Sequence, residues 1–171
     1  MRSESLRSWV TWGAAFGALA GIVFALFEMI ASWAMDDGFW MPLRMIGAIV
    51  LGDGALEASY SLAGAAVVGA VLHMVLSAVF GAVFGALVAS VSALRASRSV
   101  LVIAASLYGL ALWLVNFYVI ASVAFEWFQD ANAVVQFFAH TFFFGTLLGV
   151  VLAPRLMGGA PVPRHREPLG V

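Results

Sequence analysis

The chain has 171 residues, of which 64% are hydrophobic and 10% charged, with no cysteine and a formal net charge of −1; its mean hydropathy is +1.04. Soluble domains average roughly 45–50% apolar and 25% charged residues, so this composition points to a membrane protein, of one domain by length. The lack of cysteine excludes disulfides, thiolate metal sites, iron–sulfur clusters and thiol redox chemistry.

Four runs reach the length of about 20 apolar residues that a bilayer requires. They read Trp9 to Trp33, Tyr60 to Ala89, Val100 to Phe125 and Ala133 to Pro154. The first has a basic start and a small-residue site at Ser32-Trp33-Ala34, as a signal peptide would. Its apolar core exceeds the roughly 7–15 residues of such a leader and contains Glu28, so it reads as a retained span. Trp9 and Trp12 at one end, with Trp33, Phe39 and Trp40 at the other, suit interfacial belts. The long connection that follows, Ala34 to Ser59, holds the apolar piece "MPLRMIGAIVLG", Met41 to Gly52. It is too short to cross, and Pro42 at its start and "GDG" at its end predict an interfacial helix.

The second connection, "SVSALRASRS", is basic and the third, "EWFQDAN", is acidic. Residues 155–171, with "GGAPVPRHREPLGV", read as a disordered cytoplasmic tail in which His165 is solvated. Arg2, Arg7, Arg95, Arg98, Arg155, Arg164 and Arg166 fall on one side, seven of the eight basic residues. Only Arg44 falls on the other, with Asp36, Asp37, Asp53, Glu57, Glu126 and Asp130. The positive-inside rule then places both termini in the cytoplasm of a multi-pass protein of the plasma, or inner, membrane.

Small residues recur every four positions: Gly13, Gly17 and Gly21; Ser77, Gly81, Gly85 and Ala89; Thr141, Gly145, Gly149 and Ala153. Such small-xxx-small seams let helix backbones approach closely in lipid. "FGAVFG" in span two also matches "FGTLLG" in span four, while Gly21 precedes Glu28 by the same interval as Gly109 precedes Asn116. The expected fold is an all-α, four-helix transmembrane bundle over residues 1–154, open to description as two parallel helical hairpin repeats.

Each span carries one conspicuous polar side chain: Glu28, His73, Asn116 and His140. Counting about 1.5 Å per residue from the outer ends places them near one layer in the outer half of the bilayer. Heptad-like spacing from the glycines turns Glu28, His73 and Asn116 toward the packing faces. His140 fits less well, because an ideal helix sets it about 100° from the Thr141 seam and on a stripe with Gln136. Ionisable groups at depth usually face the bundle interior and mark a site or a pathway.

Several readings stay open. Glu28, His73 and His140 have the composition of a two-histidine, one-carboxylate metal centre for iron, zinc or copper, with Asn116 behind them as a supporting group. His73 and His140 could instead hold a single b-type haem. A quinone, a lipid or another small apolar ligand could use the same groups, as could a proton relay. The four could also simply bind the helices together, or the chain could be a structural or accessory subunit of a membrane complex or homo-oligomer. Whether it is an enzyme stays open. No GxSxG, GxxxxGKS/T or GxGxxG motif is present, and seven dispersed arginines suit anionic lipid rather than nucleic acid.

The segments "FEMI", "MPLRMIGAIVLG", "HMVLSAVFG", "YGLALWLVNFYVI" and "HTFFFG" together resemble a set of small, uncharacterised four-span membrane proteins of bacteria and archaea. That resemblance implies the same four-span architecture and brings no activity with it.

Overall fold

The computed structural model describes residues 5–157, and these form helices and short turns with no strand among them. The expected tail beyond residue 157, with His165, and the N-terminal Arg2 lie outside the described residues. Four helices are long and apolar enough to cross a membrane: α1 (Leu6–Ala34), α3 (Leu62–Ser90), α4 (Arg98–Ala124) and α5 (Ala133–Leu156). The segment after α1 that is too short to cross forms a helix of its own, α2 (Met41–Leu51), with a proline in its first turn and Gly52 at its end.

Local chemistry sets where the long helices begin. The side chains of Ser5, Ser61, Ser97 and Asn132 each accept a backbone N–H from the first turn of α1, α3, α4 and α5. Each such cap is worth about 1 kcal/mol by satisfying an amide that the helix leaves unpaired. At the other end of α1, Asp36 takes a left-handed conformation with φ 63°. The amide of Asp37 then reaches back to the Ser32 carbonyl at 3.0 Å, which closes the helix and turns the chain toward α2.

Backbone proximity dictates how the helices pair. A Cβ on Gly17 would stand 2.7 Å from the Cα of Gly81, and one on Gly13 would run into the Gly81 carbonyl. Antiparallel α1 and α3 therefore touch along Gly13, Gly17 and Gly21 against Gly85, Gly81 and Ser77. In the same way α4 meets α5, Gly109 lying against the His140 carbonyl and Gly145 against Ala105. The two pairs join through α1 and α5, where Phe27 stacks on Phe143 with centroids 4.0 Å apart and the Arg155 guanidinium sits 3.3 Å over the Trp12 ring. The order is thus α3, α1, α5, α4.

The outer members of that row, α3 and α4, barely meet. They touch where the Tyr108 hydroxyl donates to the Phe80 carbonyl at 2.9 Å and its ring packs on Phe84. Below this point, toward the arginines, lies the densest core, with Phe84, Val88, Leu101, Leu148 and Leu152 fully buried. Above it the two helices part. The resulting gap is covered by α2, whose Gly47 presses on Ala65 and Gly69 of α3, and by the turn Glu126–Asp130. Arg44 of α2 donates to the carbonyls of Ala55 at 2.9 Å and Glu57 at 2.8 Å, fixing the loop that returns to α3.

Candidate functional site: a cavity at the acidic end

The gap between α3 and α4 forms a partly open cavity of about 490 Å³. Glu28, His73, Asn116 and His140 all line it, one from each long helix. Asp37 and Asp130 stand at the end nearer the loops, and the remaining wall is mainly apolar, with Phe24, Met45, Phe117 and Trp127 prominent.

Glu28 is 6% exposed. The side-chain amide of Gln136 is its hydrogen-bonding neighbour, yet Oε1 is buried without any partner. An unpartnered buried carboxyl oxygen costs roughly 1–3 kcal/mol or more, so its presence asks for an explanation.

The histidines are 8% and 9% exposed, and both are anchored to backbone. His73 Nε2 lies 2.8 Å from the Gly21 carbonyl, and His140 Nδ1 lies 2.9 Å from the Gln136 carbonyl. A carbonyl only accepts, so each of these nitrogens carries the proton. In the neutral ring the other nitrogen then offers a lone pair: Nδ1 of His73 and Nε2 of His140. Neither of those two has a hydrogen-bond partner among the described residues. Phe24 packs against both imidazoles, with centroids 5.2 Å from His73 and 4.8 Å from His140. Asn116 is half-buried and adds an amide to the same wall.

Two helices depart from α geometry here. Residues Asn116–Ala121 of α4 and Ala139–Thr146 of α5 are π-helical. A π turn takes up an additional residue and commonly marks a functional site. In α5 it resolves the misfit of His140 with its seam: His140, Thr141, Phe144 and Gly145 are all buried, so the histidine faces the cavity while Gly145 and Gly149 still pack on α4. Thr146 Oγ1 braces the widened turn by donating to the Thr141 carbonyl, five residues back, at 3.1 Å.

The metal and haem readings find less in this arrangement. Among the described residues, no three His, Cys, Asp or Glu side chains are placed to hold a metal ion. Glu28, His73 and His140 share the cavity without converging, and Phe24 packs on both imidazoles. A porphyrin held between the two histidines would have to displace that ring.

Several contributors were not legible in the sequence. Gln136 was visible only as a stripe-mate of His140, whereas it serves Glu28 through its side chain and His140 through its carbonyl. Trp127, from a loop, donates through Nε1 to the Met45 carbonyl of α2 at 3.1 Å. Ser32, which also lines the cavity, donates to the Gly38 carbonyl at 2.8 Å and holds the end of α1. Such partners depend on how the helices are set against each other, which no single-helix spacing encodes.

No protein-family model matches the chain, and neither a curated protein nor a solved structure was found similar to it.

Proposed function

We propose that the protein is a multi-pass membrane protein that binds a small, mostly apolar ligand in the cavity between α3 and α4. Glu28, His73, Asn116 and His140 would meet the ligand's polar end, and the aromatic wall its body. The observation that carries this reading is the unpartnered Glu28 Oε1 beside a preformed space. Ligand sites typically have about 300–1,000 Å³ and a few polar groups in an apolar wall, which matches what is found here. A carboxyl that only tied helices together would be expected to have both oxygens satisfied.

Four helices long and apolar enough to cross support a bundle that spans the bilayer. The arginine distribution supports an orientation with both termini in the cytoplasm and the acidic end outside. The cavity then lies in the outer half of the membrane. A metal held by Glu28, His73 and His140 would require these side chains to regroup, whereas the ligand reading takes the geometry as it stands.

The test is mass spectrometry of organic extracts from detergent-purified protein, with elemental analysis alongside. Ala121, buried on the cavity wall, provides the control, since Ala121→Trp fills the space. A compound near 1:1 in the unmodified protein and lost in Ala121→Trp is the expected result. Identical extracts from both would sink the ligand reading, and a stoichiometric metal would replace it with a metal centre.

A further inference from the structure

We propose that the ligand is a lipophilic amine, bound as its ammonium ion, with an N–H directed to Glu28 Oε1 in a cavity whose histidines leave only acceptors free. This rests on the ligand-binding reading above and names the class of ligand.

The argument starts from which hydrogen-bonding roles remain unused. Each histidine gives its N–H to a backbone carbonyl, His73 to Gly21 and His140 to Gln136. What each leaves over is an acceptor. Glu28 Oε1, buried and unpartnered, is an acceptor as well. Asn116, on the α4 wall, carries both an amide oxygen and an NH2 group and so serves either kind of ligand. A ligand that complements the other three must donate. A quinone or other carbonyl compound would find the imidazole protons engaged and only the Asn116 NH2 to bond with, leaving Glu28 Oε1 without a partner.

Charge points the same way. Three carboxylates, Glu28, Asp37 and Asp130, line the cavity and no arginine does. All eight basic residues of the chain are arginines. Arg44, which α2 carries beside the cavity, is held by the carbonyls of Ala55 and Glu57. An anionic or phosphate-bearing head would therefore meet repulsion with no compensating cation. A cation would hold the buried Glu28 in its ionised form and supply Oε1 with the partner it lacks.

The wall suits the rest of such a molecule. Phe24, Phe117, Trp127 and Phe128 line the cavity, and aromatic rings attract ammonium groups and accommodate aryl or alkyl bodies. The volume of about 490 Å³ admits a compound of drug-like size.

Isothermal titration of the full chain in detergent, with three probes of one shape, tests this: 1-naphthylmethylamine, 1-naphthalenemethanol and 1-naphthoic acid. The amine is expected to bind about tenfold or more tightly than the alcohol, and the acid weakest of all. Glu28→Gln should weaken the amine about tenfold and the alcohol by less, and an unchanged far-ultraviolet circular dichroism spectrum shows that the variant is folded. Equal affinity for amine and alcohol, or an amine affinity indifferent to Glu28→Gln, would overturn the amine proposal and leave apolar-ligand binding standing. If none of the three binds and Ala121→Trp changes no extract, both readings fail. Repeating the titration in nanodiscs of phosphatidylethanolamine and of phosphatidylcholine separates the sources. Competition by the ethanolamine lipid assigns the ammonium to a headgroup, and undiminished binding assigns it to a free amine.

Discussion

The indole N–H of Trp127 and the carbonyl of Met45 meet at 3.1 Å, joining the turn before α5 to the short helix α2. Both segments border the cavity, so this bond holds its cover together. Trp127→Phe keeps an aromatic ring and removes the donor. A net hydrogen bond is worth about 1 kcal/mol, or roughly fivefold in an opening equilibrium. Because the sequence has no cysteine, Ile46→Cys on the cavity wall gives a single thiol to follow. Its labelling by a maleimide should accelerate about fivefold in the Trp127→Phe background. An unchanged rate would mean that the bond does not govern access.

Glu28 separates a binding role from a structural one by the sign of a stability change. Glu28→Met has similar length, and combining it with Gln136→Leu keeps the buried Gln136 amide from losing its acceptor. If the carboxyl serves a ligand, the ligand-free protein should become more stable by about 1–3 kcal/mol. Chemical denaturation in detergent, monitored by Trp fluorescence, measures this. A loss of stability of similar size would instead make Glu28 an interhelical fastener.

The seam between α1 and α3 predicts a steep cost for small additions. A Cβ on Gly81 would meet the Gly13 carbonyl and approach the Gly17 Cα at 2.6 Å, and both obstacles are backbone. Gly81→Ala should therefore lower stability by about 1–3 kcal/mol, and Gly81→Leu should prevent the pair from forming. Gly54, around which there is open space, is the control: Gly54→Ala should leave the thermal midpoint nearly unchanged. Equal effects at the two positions would disprove close packing along the seam.

Orientation is accessible through the same absence of cysteine. Ser59→Cys lies at the acidic end of the bundle and Ser92→Cys in the turn at the arginine end. In intact cells an impermeant maleimide should label the first and spare the second. The opposite pattern would reverse the assignment of the cavity to the outer side.

How much of this was legible in the sequence depends on the distance over which each signal acts. The four long helices follow from apolar runs, and α2 from a run too short to cross, bounded by Pro42 and Gly52. The shared cavity of Glu28, His73 and Asn116 agrees with their spacing from Gly21, Gly81 and Gly109, because one face of a helix repeats at about seven residues. His140 defeated that logic, since ideal 3.6-residue turns do not describe Ala139–Thr146. The cavity itself was illegible. It exists because α3 and α4 part above Tyr108 and Phe80, a relation between two helices that neither sequence segment contains alone.

The π segment of α5 acts as an angular setting. Each residue of an α-helix advances about 100°, so the additional residue in Ala139–Thr146 fixes the rotation of the half carrying Gln136 and His140 against the half carrying Gly149 and Leu152. Phe142, an exposed member of that segment, packs only along its own helix, on Phe137 and Phe138. Held to α geometry, His140 and Gly145, five residues apart, would stand about 140° from each other. With Gly145 kept on its seam, His140 would then leave the cavity and Gln136 would leave Glu28, although neither residue had been altered. The pitch of this one turn, and not only the identity of the polar side chains, is therefore part of what specifies the site.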